Sequence, residues 1–353
     1  MILYATDFDR TKRIVIDTYT SLDWEPAYDE VGNFELHLQK NLADKIDFGM
    51  IIENSEDLMF QGLVTCKEYD TSEGIDSDVV IKGHFLAYML EFRIIDDIEK
   101  ENVAFSTVVN EALFQFQSGT RGFGRSIEVQ YSDESIKSEP VEIKAENETL
   151  LSVLLEICKQ INAGLNFILN DDKSLTLLFY IGEDKSNDVV ISLDRDTAVE
   201  VNYYKDIETE GNYFYVKGNG YQDGETEIFE FTSGSSYGNS RKEVFVDLTS
   251  LPRKRKDGTF MSERQYKAAL WAIMITSPDG ILGYEEIESK VSLKYQEEYG
   301  NLYKIGDIIT QEFKELSVEL KSKITTVSQS WGENGHEITL ICTNVGTIDK
   351  VGV

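Results

Sequence analysis

Gly234-Ser235-Ser236-Tyr237-Gly238 has the G-x-S-x-G spacing of a nucleophile elbow, the turn that lifts a serine hydroxyl above a sheet for acyl transfer. Such a turn joins a strand to a helix. Here a polar loop, Thr232 to Ser240, runs on into another strand-like segment, so a serine nucleophile is not expected. His336-Glu337-Ile338-Thr339-Leu340 opens like a zinc-protease helix, but the second histidine is missing and the β-branched run favours a strand. The chain holds only His37, His84 and His336 and no Cys-x-x-Cys, which argues against a zinc site. Gly218-Asn219-Gly220 lacks the third glycine and following helix of a phosphate-binding turn.

Carboxylates are abundant, yet a glycosidase needs two at a defined separation, one with a raised pKa, and spacing in sequence does not supply that. Asn170-Asp171-Asp172 and Asp194-Arg195-Asp196 are oxygen-rich, but neither completes a calcium loop, and both read as turns. Cys66, Cys158 and Cys342 are far apart and odd in number, so they read as small buried hydrophobes rather than a disulfide framework. Arg253-Lys254-Arg255-Lys256 is the one dense basic run. It reads as a solvated loop, or as a contact with an acidic neighbouring subunit or anionic surface polymer. No catalytic residue, cofactor site or metal site is expected.

The composition points the same way. Sixty-four Asp and Glu against 34 Lys and Arg give a formal charge of −30. That surface repels phosphates, which disfavours nucleic-acid binding; solubility is its plainest explanation. No run approaches the roughly 18 apolar residues a membrane span requires, and the N-terminus lacks a signal-peptide pattern. A soluble protein folded in a cytoplasm is expected. At about 150 residues per domain the length suggests two or three domains.

The elements that must position these residues are mostly strands. Up to about Ile95 short strands alternate with turns, as in Phe34, Leu36 and Leu38 on one face, and their spacing suggests a small barrel or sandwich. From Asp96 the pattern turns helical, with Phe105, Val108, Val109, Ala112, Leu113 and Phe116 on one stripe. Asn147 to Asp184 reads as a complete helix, strand, turn and strand. Asn147 is the expected N-cap, Ala163-Gly164 the stop, and Leu150, Leu151, Leu154, Leu155, Cys158 and Ile161 the apolar face. Strands return after Asp184, including Val291-Ser292-Leu293. A helix over Glu263 to Thr276 carries a capping box at Ser262 and Gln265 and ends at Pro278.

The order of landmarks resembles the tail-tip hub, or tail-associated, proteins of long-tailed phages and prophages, whose fold is related to the baseplate hub. The resemblance rests on Leu22-Asp23-Trp24, Gly32-Asn33-Phe34-Glu35-Leu36 and Phe60-Gln61-Gly62-Leu63-Val64. It continues through the helix at Leu150, Leu165-Asn166-Phe167, Ile181-Gly182-Glu183-Asp184-Lys185-Ser186, Val190-Ile191-Ser192-Leu193 and Tyr303-Lys304-Ile305-Gly306-Asp307-Ile308-Ile309. Its signature structural positions are Trp24, Gly32, Phe34, Gly62, Gly182, Asp184, Gly306 and Asp307.

The resemblance implies an α+β, mainly β fold with two β-barrel tube-type domains and α/β insertions. Residues 1–95 would form the first barrel and 96–188 an inserted α/β domain with helices near 105–117 and 149–162. Residues 189–247 and 285–353 would form the second barrel, with a helical insertion at 248–284. It implies a homotrimeric ring at the virion tail tip, assembled in the bacterial cytoplasm and continuing the tail tube. The expected partners are a distal tail protein, a tape-measure protein and a receptor-binding protein, and the acidic wall would let DNA pass without binding it. The readings left beside it are a cell-wall glycan hydrolase or carbohydrate-binding module, and the hub of a related contractile injection machine.

Overall fold

Ser21–Glu25 and Val318–Gly332, nearly 300 residues apart in sequence, lie side by side in the computed structural model. Trp24 is opposite Gln329 and Leu22 opposite Trp331, antiparallel. The structure describes residues 1–54, 57–69, 78–116, 122–206, 211–222, 224–233, 236–255, 258–276, 284–316, 318–332 and 335–344. The chain divides into two units. The first holds residues 1–201 and the described residues from Glu288 onward; the second holds Asn202–Ile287.

In chain order the first unit begins with β1 (Leu3–Thr6), β2 (Arg13–Ile16), β3 (Ser21–Glu25), β4 (Asn33–Leu38), the single turn α1 (Lys40–Ala43), β5 (Ile51–Asn54), β6 (Asp57–Tyr69) and β7 (Val79–Phe85). They pair antiparallel in the order β3-β4-β7-β6-β5-β1-β2. The period-two pattern explains why: β4 buries Phe34, Leu36 and Leu38, and β7 buries Val79, Ile81 and Phe85, on one face of the pleat. Trp24, Leu3, Ile16, Ile52 and Val64 complete that core.

A 3-10 turn over Leu86–Phe92 leads to β8 (Ile98–Ala104), α2 (Phe105–Phe114), β9 (Ile127–Tyr131), β10 (Pro140–Ala145), α3 (Leu150–Gln160), β11 (Gly164–Leu169) and β12 (Leu175–Tyr180). The expected stripe of α2 is buried throughout. The helical reading from Asp96 needs correction, because β8 pairs with β10 across 40 residues. Its charged run, Glu99-Lys100-Glu101, gave no strand period of its own. The N-cap of α3 is Thr149, whose side chain accepts from the Ser152 N–H at 3.1 Å. Asn147 instead takes a left-handed φ of 57°. The stop also moves: Asn162 takes the left-handed turn, and Gly164 already belongs to β11.

β12 pairs antiparallel with β11 and parallel with β9, and α2 and α3 pack with these strands in one core. Leu86, Leu90 and Ile95 lie in that same core, so the apolar grouping crosses the expected boundary at 95.

β13 (Val190–Ile191) and β14 (Ala198–Asp206) follow. The second unit holds β15 (Tyr213–Asn219), β16 (Thr226–Thr232), β17 (Glu243–Asp247) and α4 (Glu263–Thr276). β15 is central, antiparallel to β16 and parallel to β17. Phe214, Val216 and Phe229 pack with Tyr266, Leu270 and Met274 of α4. The expected second barrel groups residues 189–247 with 285–353; the described pairings of β15, β16 and β17 are with one another. The capping box forms, with Ser262 and Gln265 exchanging bonds. Pro278 lies outside the described residues.

The chain returns through β18 (Tyr284–Val291), α5 (Leu293–Gln296), β19 (Ile308–Phe313), β20 (Val318–Gly332) and β21 (Gly335–Asn344). Val291-Ser292-Leu293 is thus not one strand; β18 ends where α5 begins. β20 pairs with β19 through its first half, with β3 through its second, and with β21 along most of its length. Cys158 and Cys342 are buried as expected, whereas Cys66 is only partly covered.

Candidate functional site

The eight signature positions gather at two places in the first unit. At the first, the Trp24 ring lies 5.2 Å from Phe34, 5.6 Å from Phe60 and 5.1 Å from Phe85. Such aromatic clusters gain from edge and tilted contacts beyond the area they bury. They need backbone without side chains beneath them. A β-carbon on Gly62 would overlap the Phe34 ring, and one on Gly32 would overlap the Glu25 carbonyl.

The second place joins the strand pair β11–β12 to β19 and β20. Gly182 sits against the Gly306 carbonyl with no room for a β-carbon, and Gly306 takes a φ of 89° with the Tyr28 ring beside it. Asp307, 1% exposed, accepts from the N–H groups of Glu183 at 2.7 Å and Lys304 at 3.0 Å. Burial raises its pKa, an effect those two bonds oppose. Asp184 accepts from the Ser186 N–H at 2.9 Å, which lowers its pKa and shapes the turn before β13.

Tyr28 lies at the centre of this place. Its hydroxyl donates to the Asn162 carbonyl at 2.8 Å and accepts from the Gly182 N–H at 3.3 Å. Burial pushes its pKa up to about 12. Lys323 of β20 donates to Asp29 at 3.0 Å and to the Asn162 side chain at 2.8 Å, with its ammonium 4.0 Å from the Tyr28 ring centre. Its pKa is lowered by burial, against the pull of Asp29.

The other end of the β11–β12 pair is held as firmly. Arg10 makes a two-pronged pair with buried Glu53 at 2.9 and 3.0 Å, and donates to the carbonyls of Leu169 at 2.9 Å and Asn170 at 3.1 Å. Gln61 exchanges two bonds with the Leu169 main chain, at 2.7 and 2.9 Å. Sequence reasoning missed Arg10, Asp29, Glu53, Gln61 and Lys323. Single polar residues separated by 40 to 300 positions leave no periodic signal.

The basic run resolves differently from its expectation. Arg253 is 1% exposed, so it is not available as a surface contact. Its guanidinium lies 3.6 Å from the Tyr221 ring centre and 5.2 Å from that of Tyr266, and pairs with Glu227 at 3.0 Å. The aromatic walls account for the burial, since guanidinium planes stack well on such faces. Arg255 is exposed and donates to Gln265 at 3.1 Å, and Lys254 lies 5.7 Å from the Phe260 ring centre. Lys256 lies outside the described residues.

Among the described residues the tempting chemistry is not assembled into a centre. Gly234 and Ser235 are outside the described residues, and a 3-10 turn, Gly238–Ser240, with a strand follows Ser236. His336 lies in β21, stacked on Trp331 at 4.4 Å. Asp172 closes its own turn through Ser174, and Asp194 pairs with Lys314 at 3.0 Å. Among the described residues no group of three His, Cys, Asp or Glu is arranged to hold a metal ion. No helix among them is long and apolar enough to cross a membrane. The first signature place seats aromatic rings on bare backbone, and the second sets backbone against backbone.

A family model described as Siphovirus ReqiPepy6 Gp37-like protein matches residues 2–342. No curated protein matches in sequence. Solved structures that share the fold include three tail proteins. The tail protein from Neisseria meningitidis MC58 is 10% identical with a TM-score of 0.64, covering 98% of this chain and 96% of its own. The 43 kDa tail protein of prophage MuSo2 from Shewanella oneidensis is 14% identical with a TM-score of 0.64, covering 97% and 98%. Prophage tail protein gp18 from Listeria monocytogenes EGD-e is 14% identical with a TM-score of 0.61, covering 98% and 95%.

Proposed function

Because the chain belongs to the siphovirus Gp37-like protein family, we propose that it is a structural protein of a phage or prophage tail, acting at the tail tip without catalysis of its own. Three copies form a ring that continues the tail tube and supports host attachment and DNA passage. In this reading the β-rich ends of the chain are tube-type barrels, and residues 96–188 and 248–284 decorate the outside. A distal tail protein, a tape-measure protein and a receptor-binding protein are its neighbours.

The observation that carries the reading is the end-to-end correspondence with three tail proteins, since each is matched over nearly its whole length. The buried junctions support a mechanical role. Lys323, Tyr28 and Asp307 fasten one end of the β11–β12 pair, and Arg10 with Gln61 fastens the other. A ring that transmits load needs such ties.

The charge of −30 suits a channel wall that repels phosphate. Negative-stain imaging with light scattering tests the assembly: three-fold rings with a central hole support the reading. Monomers that stay monomeric at high concentration and beside the neighbouring tail proteins would overturn it.

A further inference from the structure

We propose that the outer face of the sheet β16-β15-β17, in the second unit, seats one amphipathic helix of a partner protein that carries a lysine or arginine between apolar side chains. α4 packs on the inner face, through Phe214, Val216 and Phe229. On the outer face Ile228 and Phe245 are 49% and 61% exposed, with Tyr213 and Tyr215 half-buried beside them. The registers set Glu230, Tyr215 and Phe245 in one row across the three strands, and Ile228, Lys217 and Asp247 in the next. Parallel strands such as β15 and β17 ordinarily have both faces covered, and sheet faces left in water are ordinarily polar. This face is neither covered nor wholly polar.

Its charges decide what can cover it. Lys217 pairs with Asp247 at 3.3 Å, and Arg241 pairs with Glu243 at 2.6 Å. The Arg241 guanidinium also lies 3.5 Å from the Tyr213 ring centre and donates to the Tyr215 hydroxyl at 3.0 Å. Among the described residues Glu230 has only the Tyr213 hydroxyl as partner. A cover without a cation would take that carboxylate out of water unpaired, which is destabilising. An anionic cover would find both cations engaged. A second copy applied face to face would bring the same engaged cations and a second unpaired carboxylate. Arg241, stacked on a ring and held by a carboxylate, is the intramolecular pattern for the incoming cation.

The dimensions select a helix. From Tyr213 to Lys217 the face runs about 14 Å, and from β16 to β17 it spans about 10 Å. A helix is about 10 Å across, so one helix fills the strip over about two and a half turns. The face lies within the second unit, and its test does not depend on the tail reading.

The probe is a fluorescein-labelled helical peptide of alanine and glutamine, with an arginine one turn from each of two leucines on the same face. Its anisotropy is followed as the full chain is added at about 0.15 M salt, where exposed charges are screened beyond about 8 Å. The peptide should bind saturably, and a twin with glutamate in place of arginine should bind about tenfold more weakly, as expected for one charge-assisted bond. Phe245→Ser and Glu230→Gln, both at exposed positions, should each weaken binding about tenfold with unchanged circular dichroism, whereas Glu101→Gln on β8 should not. Equal binding of the two peptides, or an equal loss in Glu101→Gln, would mark diffuse attraction to a chain of charge −30 and overturn the proposal. So would a wild type that binds neither peptide. Self-association seen by light scattering and abolished by Phe245→Ser would also overturn it, because the occupant would then be a second copy.

Discussion

The Tyr28 hydroxyl donates to the main-chain carbonyl of Asn162 across 134 residues of chain, at 2.8 Å, and accepts from the Gly182 N–H at 3.3 Å. One side chain therefore holds the chain as it enters β11 and as it leaves β12, at the end of the pair that Lys323 also fastens. Tyr28→Phe removes these bonds and a longer one to the Tyr180 carbonyl at 3.3 Å and leaves the partners buried, which should cost about 1–3 kcal/mol. Urea unfolding should show a lower midpoint with unchanged secondary structure. The difference should also depend on pH. The folded pKa of Tyr28 is raised to about 12 from an ordinary 10. The unfolded chain then loses its proton first, and stability falls as pH rises from about 10 to about 12. The gap between wild type and Tyr28→Phe should narrow over that window; a constant gap would show that burial does not hold the hydroxyl neutral.

Gly182 and Gly62 are tight for different reasons, and alanine should separate them. At Gly182 the added carbon meets the Gly306 backbone, which has no alternative rotamer; at Gly62 it meets the Phe34 ring. Overpacking costs roughly 1–3 kcal/mol where side chains can adjust, and more where they cannot. Gly62→Ala should fold with a loss inside that range. Gly182→Ala should lose more than about 3 kcal/mol or fail to accumulate as folded protein. Equal losses in thermal unfolding would contradict the assignment of backbone contact to Gly182 alone.

Arg253 offers a test of what a buried cation contributes to the second unit. Its partner Glu227 has a side chain 49% exposed, so removing the guanidinium leaves a carboxylate that water can solvate. Arg253→Met keeps the stem against Tyr221 and Tyr266 and should cost about 1 kcal/mol or less. Arg253→Ala empties the space between the rings and should cost about 3 kcal/mol. Hydrogen exchange should rise in β15, β16 and α4 of the alanine variant. If methionine proves as harmful as alanine, the charge rather than the packing carries the stability.

The proposed ring, with each subunit at −30, would have to overcome its own repulsion. Screening shortens that repulsion from about 30 Å at 0.01 M salt to about 8 Å at 0.15 M. At fixed protein concentration the trimer fraction should rise over this range, read by mass photometry. A trimer that dissociates as salt is added would show that attraction between opposite charges drives assembly instead.

The alternating strands, the buried stripe of α2, the members Leu150, Leu151, Leu154 and Cys158 of the α3 stripe, and the capping box of α4 were legible in the amino-acid order, whereas Leu155 and Ile161 are only half-buried and Val153 and Ile157 fill the α3 face instead. Each depends on neighbours within a few residues, and periods of 2 and 3.6 record which face is apolar. The family resemblance was legible for the same reason, since its glycines and aromatics are local marks of tight backbone approach. β8 was not legible, because its partner β10 lies 40 residues on and its own face is charged. The basic run gave the wrong surface for Arg253, since composition counts a charge without seeing the aromatic pocket around it. The partners of Gly182, Asp307 and Tyr28 also came only from the fold. A glycine in sequence records that space is short; only the folded chain shows that the space is taken by Gly306, and that Lys323 and Arg10 fasten the β11–β12 pair from opposite ends.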